Sequence, residues 1–229
     1  MRILCTICMR GGSKGLKNKN ILPLKGKPLL WHTIKHAKDT KIFDQIVVST
    51  DSAKISELSK SFGASSWFIR PKNLSSDKSA KLPAIRHALV KSEKYFHTTF
   101  DIIVDLDATS PLRSIEDIKK SLKLFIKEKS NNLITASSSR KNPYFNVIEK
   151  KGNLFGVVKD NKNYDRRQDA PKTYDMNASI YIWKRQFLLK SDKFFTNKTS
   201  LYLMPFSRSI DIDSKEDYEL VKYFINKKK

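Results

Sequence analysis

The stretch CTICMRGGSKGLKNKN, Cys5 to Asn20, decides how the chain is read. It begins as a run that a sheet buries and turns, within a few residues, into glycine, hydroxyl, amide and positive charge. Gly11, Gly12 and Gly15 permit turns and close approaches that Cβ atoms block, while backbone N–H groups, Arg10, Lys14 and Lys19 can surround phosphate oxygens. A polyphosphorylated ligand is expected where the strand stops. The spacing is neither G-x-x-x-x-G-K-S/T nor G-x-G-x-x-G, which disfavours an ATPase P-loop and a dinucleotide fingerprint.

Working outward, RILCTIC, QIVVST, SWFI and DIIVDLD are short, rich in Ile and Val, and separated by helix-length stretches. Leu82, Ile85 and Leu89 fall on one helical face, as do Ile115, Ile118, Leu122 and Phe125. Parallel strands with helical crossovers follow, an α/β fold. Further strands are predicted at NLITAS and ASIYIW. From Asn142 to about Tyr174 the helix alternation stops: two runs around KKGN predict a hairpin and then a polar loop, an insertion from which the chain returns to the main sheet at Ala178. A last helix is predicted from Ser214, with Asp217 placed to cap it.

A chain of 229 residues builds one sizeable core. A net charge of +22 and a pI near 9.9 suit an anionic partner. The lysines are spread along the chain rather than gathered in a stripe, and no clustered aromatic platform accompanies them. Anionic small substrates are therefore expected rather than nucleic acid. Cys5 and Cys8 form C-x-x-C, but residues three apart on a strand face opposite ways and no second pair completes a metal tetrad; buried structural thiols in a reducing compartment are expected. With no apolar run of bilayer length and a start that runs straight into the glycine loop, the expectation is a cytoplasmic protein without a membrane partner.

In open parallel sheets ligands bind beyond the carboxyl ends of the strands. Four polar clusters are predicted there, facing one cleft: Arg10 to Asn20, Ser49 to Asp51, Asp105 to Arg113, and Asp211 to Asp213. SIDIDS alternates Ile210 and Ile212 with Asp211 and Asp213, so that on a strand both carboxylates share one face. Two adjacent carboxylates repel unless a cation or proton sits between them. Beside a phosphate loop the expected cation is Mg²⁺, with Mn²⁺ as its substitute. Asp105 and Asp107 have the same spacing and compete for this role, as they would in a D-x-D glycosyltransferase.

The segments RGGSKGLKNKN, RPKNLSSDKSA, TSPLR, RRQDAPKTYDMNASIYI and SIDIDSKEDYEL occur in an order that resembles bacterial CMP-sialic acid synthetases (acylneuraminate cytidylyltransferases). The likeness covers nearly the whole chain. LCTICMRGGSKGLKNKN and DLDATSPLR look most like the branch that makes CMP-N,N'-diacetyllegionaminic acid. The resemblance implies a Rossmann-like three-layer α/β/α domain over residues 1–229, with a mostly parallel sheet. A small inserted dimerisation subdomain is implied at about 140–177, with the 187–200 loop, and hence a homodimer. The implied reaction joins CTP to a nine-carbon 2-keto acid sugar, giving the CMP-sugar and pyrophosphate, for surface glycan or flagellin glycosylation. Neighbouring branches act on N-acetylneuraminate, pseudaminate or Kdo.

By the same resemblance Arg10, Lys19, Asp211 and Asp213 are catalytic, the two aspartates holding the metal. Arg10, Gly11, Gly12, Ser13, Lys14, Lys19, Asn20, Arg70 and Ser79 bind the nucleotide. Asp107, Thr109, Ser110, Arg167, Gln168, Tyr174 and Asn177 line the sugar site, with Lys172 in the same stretch, and Phe194 and Phe195 serve the partner subunit's acceptor pocket. One departure stands out: where many relatives read L-Q-P-T-S-P-L-R, this chain has Asp107 in place of glutamine. An amide that donates and accepts has become an acceptor-only carboxylate, which must meet a donor or a metal beside an acidic sugar. No histidine stands in the matching motifs, so none is assigned as the base, with a metal-bound hydroxide and Asp107 as the open alternatives.

Overall fold

The alternation in ILCTIC organises what surrounds it. In β1 (Ile3–Cys8), Ile3, Cys5 and Ile7 point to one face of the sheet and Leu4 to the other. Both sets are buried, which requires helices on both faces. The computed structural model, which describes residues 1–12, 15–77, 79–160 and 164–227, places them there. After a small hairpin, β2 (Pro23–Leu24) and β3 (Lys27–Pro28), helix α1 (Leu29–Thr40) leads to β4 (Gln45–Ser49). Helices α2 (Ala53–Ser61) and α3 (Lys81–Phe96) precede β5 (Ile102–Leu106), and α4 (Ile115–Lys127) leads to β6 (Asn132–Ser138). The remainder runs through β7 (Ile148–Lys151), β8 (Leu154–Val157), β9 (Tyr174–Met176), β10 (Ile180–Lys184), α5 (Arg185–Lys190), β11 (Thr199–Leu203) and α6 (Lys215–Lys227).

The main sheet has the order β11-β6-β10-β5-β1-β4, with β9 also paired to β6. β4, β1 and β5 are parallel, as are β6 and β11, whereas β10 runs antiparallel between β5 and β6, and β9 antiparallel to β6. The Rossmann-like, mostly parallel sheet is thus present with two reversed strands. IYIW is buried on both faces, so its apolar run carries no sign of its direction. Leu30, Ile34, Ile55, Ile118 and Phe125 cover one face and Leu82, Ile85, Leu89 and Leu188 the other, giving three layers. A smaller core of Leu24, Leu29, Leu112, Ile210, Ile212 and Val221 seats α6 against the domain.

Three segments differ from expectation. SWFI is not a strand: Ser65 and Ile69 make isolated bridges to Val47 and Thr50, and between them Trp67 stacks on Tyr95 with ring centroids 4.1 Å apart. SIDIDS joins no sheet; Ile212 N–H donates to the Thr109 carbonyl at 3.0 Å. Its alternation survives because Ile210 and Ile212 are buried in the α6 core. The chain rejoins the main sheet at Tyr174, earlier than Ala178, through a β9 whose residues are all exposed and carry no burial signal. Around KKGN, β7 and β8 pair as a separate two-stranded sheet, with Gly152 at φ +64°, a conformation that favours glycine in a tight hairpin turn.

Ser214 and Asp217 cap α6 reciprocally as expected, and Ser114 and Asp117 do the same for α4. Asp117 also accepts from Arg208 Nε at 2.7 Å and Nη2 at 2.9 Å. Burial pushes its carboxyl up, but Arg208 and the Ser114 hydrogen bonds outweigh this and hold it below the usual range. Such a carboxylate stabilises the fold above its unfolded pKa and loses that contribution as pH falls through the lower native value. Asp117→Asn is expected to cost about 2 to 3 kcal/mol at neutral pH, a penalty that shrinks toward about pH 3. Urea denaturation at several pH values checks this; a penalty independent of pH would mean that the ion pair is not its source.

Candidate active site

From β1 the chain crosses to β4 on one side, while β5 lies on the other, so the sheet's switch point falls at the carboxyl end of β1. A cleft of about 240 Å³ opens there. It brings together Arg10, Gly12, Lys19, Asn20, Arg70 and Ser79 from the expected nucleotide set, Asp107 and Thr109 from the sugar set, and Asp211 and Asp213. Ser13 and Lys14 lie outside the described residues.

Gly11 and Gly15 act through close approach rather than through left-handed turns, whereas a Cβ on Gly12 would meet nothing within 4 Å. A Cβ on Gly15 would stand 2.5 Å from the Asp213 carbonyl oxygen, and one on Gly11 2.8 Å from Ser52 Cβ. Among the described residues of this loop the left-handed position belongs to Asn18, φ 56°. Gly11 therefore packs on the scaffold, and its N–H donates to Asp51 Oδ1 at 2.8 Å. The cluster at Ser49 to Asp51 supports the loop instead of lining the cleft.

The cations are arranged in depth. Arg70 is buried, donating from Nη2 to the Met9 carbonyl at 2.9 Å and from Nε to Ser75 Oγ at 3.0 Å. Arg10 lies nearer the surface and pairs with Asp77 at 2.9 Å. Asn20 donates to the Arg10 carbonyl at 2.8 Å, while its buried Oδ1 has no hydrogen-bond partner among the described residues. Ser79 Oγ donates to the Asn73 carbonyl at 2.8 Å and accepts from Ser76 N–H at 3.0 Å, fixing the loop that precedes α3.

Across the cleft, Lys19 Nζ meets Asp213 Oδ1 at 2.8 Å. Asp211 Oδ1 is buried without a hydrogen-bond partner among the described residues. Burial first, then the charges of Asp107 and Asp213, pushes the Asp211 carboxyl above the usual range, against the pull of Thr109 and Lys19. An orphaned carboxylate oxygen beside a second carboxylate fits a hard divalent cation shared with phosphate oxygens.

Asp105 and Asp107 do not fit that role. Asp105 is fully buried and accepts from Thr6 Oγ1 at 2.7 Å. Lys81 Nζ lies between the pair, 3.1 Å from Asp105 Oδ2 and 2.6 Å from Asp107 Oδ2. An ammonium occupies the place a D-x-D metal would take. Asp107 Oδ1 accepts from Thr109 N–H at 3.0 Å and from Thr109 Oγ1 at 2.7 Å. Burial raises the Asp107 carboxyl, but Lys81 and these hydrogen bonds overcome it and hold the group well below the usual range. So engaged, Asp107 is a poor base. Lys81 is the cleft residue that motif reading missed; its one signal was a lysine in the first turn of a helix, against the macrodipole.

The other expected sugar residues lie apart from this cleft. Arg167, Gln168 and Tyr174, with Lys172, line a second cavity of about 420 Å³ beside Ser138, Ser139 and Asn142. Ser110 is fully buried, and its Oγ has no hydrogen-bond partner among the described residues. Asn177 holds the corner between β9 and β10, its Oδ1 accepting from Thr135 Oγ1 at 2.6 Å and from Ser179 N–H at 3.2 Å. Phe194 packs against the Tyr181 and Trp183 rings, whereas Phe195 is exposed. Cys5 is buried, but Cys8 is only partly so and lines the cleft; burial raises both thiols, which makes them unreactive.

The family described as Cytidylyltransferase matches residues 4–229. A Campylobacter coli relative, post-translational flagellin modification protein B, is 47% identical over 227 residues, covering 99% of this chain and 96% of that protein. CMP-N,N'-diacetyllegionaminic acid synthase of Campylobacter jejuni is 48% identical over 227 residues, with the same coverage. In fold alone, a solved CMP:2-keto-3-deoxy-manno-octonic acid synthetase complexed with CTP matches over 100% of both chains, with a TM-score of 0.75 at 14% identity. With its switch-point cleft and a family match that runs from the first strand to the last helix, this chain belongs to the cytidylyltransferase family.

Proposed function

We propose that this enzyme joins CTP to a nonulosonic acid, N,N'-diacetyllegionaminic acid, releasing pyrophosphate and a CMP-sugar used in glycosylating flagellin or another surface glycan. The observation that carries the reading is the single cleft in which the glycine and lysine loop, with Arg10, Lys19 and Arg70, faces Asp211 and Asp213. The near-complete match to a relative named for that product supports the choice of sugar.

The chemistry is a nucleotidyl transfer. The C2 hydroxyl of the sugar attacks the α-phosphorus of CTP in line and gives up its proton to solvent, the bond from the α-phosphorus to the bridging oxygen breaks, and pyrophosphate leaves. The protein contributes positioning and charge stabilisation. Arg10 and Lys19 neutralise the triphosphate, which replaces Asp77 and Asp213 as their partner, and Arg70 braces the loop from beneath. Asp211 and Asp213 would hold Mg²⁺, which when bound neutralises charge on phosphate oxygens. Among the described residues no histidine lines the cleft, so none is assigned as the base.

A homodimer belongs to this reading. The β7–β8 hairpin exposes Ile148, Leu154 and Phe155 away from the main sheet, apolar area that suits a second copy. On this reading the exposed Phe195 would serve a partner's acceptor site, and the Arg167 and Lys172 cations of the second cavity would face an acidic sugar. No helix among the described residues is long and apolar enough to cross a membrane, and a reducing cytoplasm suits the two free thiols.

Pyrophosphate release from CTP and Mg²⁺, with N,N'-diacetyllegionaminic, N-acetylneuraminic, pseudaminic and 3-deoxy-octulosonic acids in parallel, tests the proposal. Preference for the first acid is the expected result. Preference for another keeps the chemistry and moves the substrate, and silence with all four overturns the reading.

A further inference from the structure

Nothing in α3 favours a lysine at its start, where the helix dipole is positive and the first turn holds no acidic residue. Lys81 is held there by the cleft floor. Its ammonium touches Asp107 at 2.6 Å and Asp105 at 3.1 Å, and stands 4.9 Å from the centre of the Tyr181 ring. Asp105 is enclosed, whereas Asp107 and Lys81 both line the cleft. An ionised carboxylate offers about four acceptor sites. Lys81 Nζ, Thr109 N–H and Thr109 Oγ1 occupy three of those on Asp107, leaving room for one further donor.

We propose that Lys81 and Asp107 act as one unit in reading the acceptor: Lys81 is a positioning residue that fixes and charge-compensates the Asp107 carboxylate, and Asp107 accepts from an N–H or O–H donor of the sugar. The inference rests on the acceptor chemistry proposed above and adds which group of the acceptor is read, an amide N–H or a hydroxyl presented to the cleft floor. A carbonyl or carboxylate at that position would set lone pair against lone pair. A site built to receive a donor discriminates strongly against an analogue that lacks it.

Neither member of the pair can be neutralised alone. In Asp107→Asn the Thr109 donors claim the amide oxygen, which turns the NH₂ toward the Lys81 ammonium, donor against donor. In Lys81→Met the two carboxylates are left facing each other without a cation. The double variant removes both conflicts.

The test measures kcat and the KM of each substrate for the wild type, Asp107→Asn, Lys81→Met and the double variant, with thermal melting alongside. Each single change is expected to lower kcat/KM for the acceptor by about tenfold or more, with KM for CTP held within about twofold. The double variant is expected to be no worse than the weaker single one, the non-additivity of a shared interaction. Losses that multiply, that fall on the KM for CTP, or that only follow the melting temperature overturn the proposal. Should Lys81→Met not fold, Asp105→Asn/Lys81→Met removes the second buried carboxylate and carries the same comparison against Asp105→Asn. A wild type that turns over no acid overturns this inference together with the function it rests on, whereas turnover without coupling overturns this inference alone.

Discussion

Asp211→Asn is expected to slow pyrophosphate release by about a thousandfold while leaving the protein at least as stable as before, the loss corresponding to several kcal/mol of charge stabilisation at the transferring phosphate. The two effects share one cause. Asp211 is half-buried with its Oδ1 enclosed and without a hydrogen-bond partner among the described residues, and Asp107 and Asp213 crowd it with like charge. A carboxylate kept in such a place weakens the fold when no cation is bound, and an amide relieves the repulsion. Because its native carboxyl is raised, the ionised form costs stability at neutral pH, and that cost disappears below about pH 4, where the folded and unfolded chains are both protonated. Metal-free asparagine variant should therefore melt at or above the wild type at neutral pH, the gap closing in acid. Added Mg²⁺ should raise the melting temperature of the wild type and not of the variant. Turnover near that of the wild type would remove Asp211 from the metal site, and a variant that melts early would make its role structural.

Arg113→Lys is expected to cost about 3 kcal/mol of stability, a fall of roughly 6 to 12 °C in Tm for a chain of this size. The guanidinium is 1% exposed and donates to the carbonyls of Ser179 and Asp107 and, at 2.8 Å, to Thr33 Oγ1. It ties the loop after β5 to the start of β10 and to α1. Burial lowers its pKa to about 10, which leaves it charged at neutral pH. A lysine carries the charge but not the fork, and cannot reach acceptors on three segments at once. Differential scanning calorimetry with CTP turnover decides between two roles. Loss of Tm with turnover kept in the folded fraction shows a brace; loss of turnover at unchanged Tm shows a ligand contact instead.

Much of the architecture was legible because burial imposes periodicity. Ile3, Cys5 and Ile7 against Leu4, and Leu82, Ile85 and Leu89 along α3, announce which faces are covered. Direction was not legible: β10 is buried on both faces, and an apolar run reads alike parallel or antiparallel. Exposed β9 left no periodic trace, and Trp67 and Phe68 resembled a strand while serving an aromatic cluster. At the site, the glycine and lysine loop and the Asp211 and Asp213 alternation could be read because their chemistry is local to a few residues.

What the chain alone determined is the α/β class; the proposals of a phosphate-binding loop and of a carboxylate pair for a metal also start from the chain, since each depends on neighbours in sequence. What only the folded molecule decided is how charges meet across distance. Lys81, two dozen residues before Asp105 and Asp107, lies between them. That contact turns a candidate metal motif into a closed ion pair, giving Asp105 Oδ2 a cation, while Asp211 Oδ1 has no hydrogen-bond partner among the described residues. Electrostatic energy depends on separation and burial in space, and neither is written in the order of residues along a chain.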